Sequence, residues 1–128
     1  MITNKDMTLE LLAFYGQLLT KEKNYLENSN ARASLLKLLD ELSNQLFILC
    51  CHVDMHDWQD EIKYKLTIAK TLCRELSEQA GTFHHNIANV PSSYSDMCVN
   101  ILNVINQFEQ LQMEERTTRF AYLNHRSG

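Results

Sequence analysis

The stretch LLKLLDELSNQLFILCCHV, which spans residues 35–53, decides the fold of this chain. Apolar residues recur in it at alternating steps of four and three. They are Leu35, Leu39, Leu42, Leu46, Leu49 and Val53. On an α-helix this spacing places the side chains along one line, where they face a partner helix. The pattern therefore predicts a helix over residues 31–53 that packs against other helices.

Three further segments show the same helical periodicity. They cover residues 6–27, 57–80 and 93–122. Residues with known preferences for helix ends flank these segments: Asn28 follows the first, Gly81 follows the third, and Pro91 precedes the fourth. We therefore expect four helices, each with an apolar stripe that is buried against its neighbours.

The lengths of these helices and their short connections favour one architecture. We predict an all-α fold, a single-domain antiparallel four-helix bundle with up-down-up-down topology that covers residues 1–128. A chain of 128 residues suits one domain with one core. The apolar stripe of the fourth helix ends at Leu111, so this helix is expected to continue past the packed body or to leave it. Residues 123–128 are expected to form a frayed tail.

The apolar arc of the first helix is expected to face the core. It consists of Met7, Leu11, Phe14, Tyr15, Leu18, Leu19, Tyr25 and Leu26. Glu22 lies near the centre of this arc, and Lys65 lies within the stripe of the third helix. A buried unpaired charge is costly, so each is expected at the rim or beside a partner. Helix rise separates the two by about 12 Å along the bundle, which argues against a direct pair.

Composition and charge narrow the possible functions. The formal net charge of −4 argues against a nucleic-acid partner, which normally needs a basic surface. No apolar run is long enough to span a bilayer, and residues 1–6 lack the apolar core of a signal peptide. We expect a soluble, cytoplasmic protein without a cofactor. Its cysteines, which are expected to be reduced core thiols, are Cys50, Cys51, Cys73 and Cys98.

The densest group of potential ligands lies at the second connection. His52 and His56 have the i, i+4 spacing that lets two imidazoles share a metal, and Asp57 offers an oxygen. His125 is a candidate third nitrogen, because an up-down bundle returns its C-terminus to this end. Alternatively, the aspartate caps the third helix and the histidines are solvated. A metal-binding or metal-sensing bundle is therefore the second functional hypothesis.

Helical periodicity lapses between Thr82 and Ser92. The pair His84-His85 in this segment lies roughly 36 Å from the His52 group by helix rise, so the two groups cannot form one site. Phe83 and the apolar residues that follow it are expected either to fold over the bundle end as a lid on the core or to form a recognition loop.

The sequence contains no nucleophile elbow and no glycine-rich phosphate loop, so we expect a protein that is not an enzyme. Arg119 is followed six residues later by His125. In this spacing the segment resembles small helical ribonucleases of the HEPN type, and the resemblance implies RNA cleavage by that pair. Phe120 departs from the pattern, because the motif usually has a polar residue there.

The leading hypothesis is a protein–protein interaction module. The predicted helices carry more apolar surface than one core requires, and exposed apolar patches usually mark interfaces. In length and helical periodicity the chain resembles the small helical chaperones of bacterial export systems, which implies a protein partner. We expect an adaptor, chaperone or regulator that presents an apolar helical surface to another protein or to a second copy in a homodimer. The expected contact residues are Leu36, Phe47, Phe83, Phe120, Tyr122 and Leu123.

Overall fold

The computed structural model describes residues 3–52, 60–87 and 90–126, and the side chains of residues 3–51, 62–85 and 92–114. Its elements, in chain order, are α1 (Asn4–Glu27), α2 (Ala33–His52), α3 (Asp60–Ser77), β1 (Thr82–Ile87), β2 (Val90–Ser93) and α4 (Tyr94–Arg126). The four helices pack together, which confirms the predicted all-α bundle. The alternation of their directions stays a prediction.

The helices pack in chain order around one interior. α1 contacts α2, α2 contacts α3, α3 contacts α4, and α4 closes the ring against α1. The seam predicted for α2 is buried in this interior from Leu35 to Leu49, and Val53 lies outside the described residues. Within the described ranges, none of the helices has the length and apolar character that a bilayer crossing requires.

A capping box sets the start of α1. The Thr3 hydroxyl accepts a hydrogen bond from the backbone N–H of Asp6 at 3.1 Å, and the Asp6 carboxylate accepts one from the Thr3 N–H at 3.4 Å. These reciprocal bonds satisfy two N–H groups that the first helical turn leaves unpaired. The helix therefore begins at Asn4, two residues before the predicted start at residue 6.

The inward face of α1 differs from the predicted one. The prediction placed Met7, Phe14 and Tyr25 in the core, and all three are exposed. The buried residues of α1 are Thr8, Leu12, Gly16, Leu18, Leu19, Glu22 and Leu26. On a helical wheel, this face is turned by about 60° from the predicted arc.

Small residues on α1 explain why its buried face is turned away from the predicted arc. A Cβ atom on Gly16 would lie 3.0 Å from Cζ of Phe47, so a larger residue there would require the Phe47 ring to move. The Ser43 hydroxyl of α2 donates to the Gly16 carbonyl at 2.7 Å and lies 2.7 Å from the Thr20 hydroxyl. Close packing therefore favours the side of α1 that carries small residues over the side that carries its large apolar ones.

The connection between α3 and α4 contains a β-hairpin that the sequence pattern did not predict. β1 and β2 pair antiparallel, with Thr82 opposite Ser93 and Phe83 opposite Ser92. Phe83 is only 1% exposed, and its ring meets the Tyr94 ring edge-on at 5.8 Å. The placement of Phe83 agrees with a lid on the core, and its prediction as a partner contact is wrong because the side chain is buried.

The helix ends also differ from the predicted ones. α3 ends at Ser77 instead of residue 80, and Gly81 follows with a positive φ of 127°. α4 continues to Arg126, four residues beyond the predicted end at residue 122. No glycine or proline interrupts α4, and glutamate, glutamine and arginine in its second half are good helix formers.

Candidate functional site

An exposed apolar strip runs along the first half of α1. Met7 is 51% exposed and Phe14 is 44% exposed, with Leu11 half-buried between them. The spacing of four and then three residues places these side chains on one line, as in a seam that faces another helix. Leu11 also packs against the core, so it joins the strip to the interior. We call Met7, Leu11 and Phe14 the α1 strip.

Two shallow clefts adjoin the α1 strip, and Met7 lines both. The first lies on α1 itself and is lined by Met7, Glu10, Leu11 and Phe14. The second, of about 280 Å³, lies between α1 and α4 and is lined by Asn4, Met7, Thr8, Gln107, Gln110, Leu111 and Glu114. A segment that binds along the strip would therefore contact both helices.

The charged side chains that line these clefts are acidic. Glu10 lines the first cleft and Glu114 the second, and the described lining residues include no lysine or arginine. The remaining polar lining residues carry neutral amides or a hydroxyl group. Together with the net charge of −4, this gives the apolar strip a negatively charged border.

A second feature lies deeper, where the hairpin meets α1 and α4. Glu22 is 0% exposed, and both of its carboxylate oxygens accept hydrogen bonds. His84 donates its backbone N–H at 3.1 Å and its Nδ1 at 2.8 Å. The Nδ1 of His85 lies at 3.0 Å, and the Tyr94 hydroxyl donates at 3.0 Å. We call Glu22, His84, His85 and Tyr94 the Glu22 cluster.

An irregularity in the hairpin makes this convergence possible. Successive side chains of a regular strand point to opposite faces, so two adjacent histidines would not normally reach one carboxylate. The strand register is irregular between Phe83 and Ile87, which is where His84 and His85 lie. The distorted strand thus directs both imidazoles to Glu22.

Hydrogen bonds keep Glu22 ionised despite its burial. Burial raises the pKa of its carboxyl group, but the hydrogen bonds from His84, His85 and Tyr94 outweigh that effect and hold the pKa below its ordinary value. Burial and the neighbouring negative charge raise the pKa of Tyr94, so its hydroxyl stays a donor. An ionised carboxylate only accepts, so each imidazole donates from Nδ1 and directs Nε2 away from Glu22.

The geometry assigns the Glu22 cluster a structural role, because it ties the hairpin to α1 and to the start of α4. Tyr25 adds to this anchor, since its ring lies 4.6 Å from that of His84. Of the two alternatives expected for Glu22, a rim position or a partner, the structure shows the partner, because His84 and His85 of the hairpin and Tyr94 of α4 contact its carboxylate. A charged residue at the centre of an apolar arc was the sequence signal for such partners, but nothing in the pattern indicated His84 and His85.

The structure describes the side chains of only some of the residues that the sequence suggested as sites. Leu36 is half-buried against the core, and Phe47 is partly exposed while its ring covers Gly16. The structure does not describe the side chains of the other suggested residues, namely His52, His56, Asp57, Arg119, Phe120, Tyr122, Leu123 and His125. Among the residues that are described, no group of three or more histidine, cysteine, aspartate or glutamate residues is placed to hold a metal ion.

The four cysteines are free thiols in different environments. Cys73 and Cys98 are buried, and burial raises the pKa of Cys98 to about 12. Cys50 is half-buried, whereas Cys51 is exposed. The expectation of core thiols therefore holds for the two cysteines of α3 and α4 and is wrong for Cys51.

Comparison with protein-family models, curated proteins and solved structures gives no match for this chain.

Proposed function

We propose that this chain is a protein-binding helical module that docks an α-helical segment of another protein on the α1 strip. The observation that carries the proposal is the exposure of Met7 and Phe14 at heptad spacing. Fully burying a methionine or phenylalanine side chain contributes about 1.5–3 kcal/mol. Because about half of each is already covered, we expect roughly 1 kcal/mol from each on binding.

The spacing of the strip favours a helix as the docked segment. Amphipathic helices bind through anchors at i, i+3, i+4 and i+7, and the residues at positions 7, 11 and 14 present a matching row. Methionine and phenylalanine are also enriched at protein interfaces, and methionine adapts its shape to different partners. An adaptor, chaperone or regulator would act through such a surface.

A second copy of the chain is a less favourable occupant than a different protein. In a twofold dimer the same patch meets itself, so Glu10 and Glu114 of one copy would approach those of the other. Like charges brought together at an interface reduce binding. Light scattering tests this point, since a dimer that is lost when Met7 and Phe14 are replaced would identify the strip as a homodimer interface instead.

Two alternatives concern side chains that the structure does not describe. A metal site at His52, His56 and Asp57 predicts stoichiometric zinc, iron, copper or nickel in purified protein. A ribonuclease site at Arg119 and His125 predicts RNA cleavage that His125→Ala abolishes. We propose a cytoplasmic location for the module, because free cysteines persist in reducing compartments.

A labelled model peptide tests the proposed function. The peptide is an amphipathic helix of about five turns with leucine anchors and equal numbers of lysine and glutamate, and its binding is followed by fluorescence anisotropy. Replacing Met7 and Phe14 together by serine should weaken binding by roughly thirtyfold, because about 1 kcal/mol is lost at each position. The control is Tyr64→Ser, because Tyr64 is 67% exposed on α3, away from the strip. Equal binding to both variants, or no binding to the wild-type chain, would refute the proposal.

A further inference from the structure

Some of the described carboxylates on the surface are paired with a lysine. Asp40, Glu41 and Glu109 each have a lysine partner within 4.0 Å. Glu10 has no such partner among the residues whose side chains are described, although it lies between two exposed apolar anchors. Its charge is therefore available to a binding partner.

The two clefts place negative charge on both sides of Met7. Glu10 lines the cleft on α1, and Glu114 lines the cleft between α1 and α4. A helix that buries Met7 therefore passes between two carboxylates. Gln110 donates a hydrogen bond to Glu114 at 3.3 Å, which orients the carboxylate without neutralising it.

We infer that the helical segment docked on the α1 strip is basic, with lysine or arginine residues flanking its apolar anchors. This inference rests on the proposed function and specifies its partner. Lysine and arginine extend a charge from a long apolar stem, so they can cover the borders of the strip while their charged ends meet Glu10 and Glu114. Asn4, Gln107 and Gln110 offer amide oxygens as further acceptors.

The charge pattern also determines which partners are disfavoured. An acidic segment would place like charges against both carboxylates, and this repulsion works against binding even when the apolar anchors fit. An anionic membrane surface is disfavoured for the same reason. Complementary charge would additionally raise the rate of association at low ionic strength.

Two peptides with identical leucine anchors test the inference, one with lysine and the other with glutamate at every flanking position. We expect the wild-type chain to bind the lysine peptide about tenfold or more tightly than the glutamate peptide. The preference should shrink as salt is raised from low to physiological concentration. The double variant Glu10→Gln, Glu114→Gln should reduce the preference several-fold.

A charge-matched control separates this site from general attraction to an acidic protein. The double variant Glu75→Gln, Glu78→Gln removes the same charge from exposed positions in and just after α3, so it should keep the preference of the wild-type chain. Equal reduction by both double variants would overturn the inference. Equal binding of the two peptides would also overturn the inference, but it would leave the proposed function intact. If neither peptide binds, the proposed function is refuted as well.

Discussion

The carboxylate of Glu22 and the imidazole of His84 meet at 2.8 Å in the interior, although 62 positions separate them in the sequence. The contact links the last third of α1 to the first strand of the hairpin. Glu22 has no exposed surface. Bulk water therefore cannot replace any hydrogen bond that is lost when this residue is mutated. The Glu22 cluster is therefore a sensitive point of the fold.

Replacing Glu22 by glutamine should lower the free energy of unfolding by about 2–3 kcal/mol. The amide keeps the shape of the side chain, but its NH₂ group faces donors from His84, His85 or Tyr94, and the charge-assisted bonds are lost. Urea denaturation followed by circular dichroism measures the change. The matched control is Glu75→Gln on the exposed surface of α3, which should leave the stability unchanged; an equal effect of both variants would contradict the role of Glu22.

The stability that Glu22 provides should depend on pH. Its pKa in the folded protein is lower than the ordinary value of 4.5, so the unfolded chain binds a proton first as the pH falls. The stabilisation is thus complete above about pH 4.5 and is lost as the pH falls through the lowered pKa. Unfolding experiments across the acidic range should show a steeper loss for the wild-type chain than for Glu22→Gln. Parallel curves for the two proteins would argue against an ionised Glu22.

Removing the Tyr94 hydroxyl should have a smaller effect than changing Glu22. Tyr94→Phe deletes one of the donors to the carboxylate and leaves the ring contact with Phe83 in place. We expect the free energy of unfolding to fall by about 1–2 kcal/mol. The control Tyr64→Phe, at an exposed position on α3, should have no measurable effect. A Tyr94→Phe protein as stable as the wild type would mean that the other donors suffice for Glu22.

The sequence predicted α2 well because its pattern admits only one interpretation. Leucines at heptad spacing from Leu35 to Leu49 define a single apolar line, and each of them is buried. In α1, by contrast, apolar residues occupy a wide arc, and the pattern alone does not say which edge of that arc faces the interior. The choice depended on Gly16, whose contact with Phe47 brings together two helices and is not visible in local periodicity.

The local sequence pattern did not predict the hairpin or the Glu22 cluster, and the reason is related. The strand that carries His84 and His85 forms through pairing with β2 and through bonds to Glu22, which are contacts between distant residues. The sequence indicated only that Glu22 needed a partner or an exposed position. The α1 strip was missed as well, because Met7 and Phe14 were assigned to the core by the same arc.

Backbone chemical-shift mapping with the lysine-flanked peptide tests docking on the α1 strip, because it locates the binding surface on the wild-type chain without mutation. The largest shift changes are predicted on residues 7–14 of α1 and 107–114 of α4, with little change near Tyr64. Changes centred on α3 or on the hairpin, or shifts that leave residues 7–14 unaffected while the peptide is bound, would contradict docking on the α1 strip.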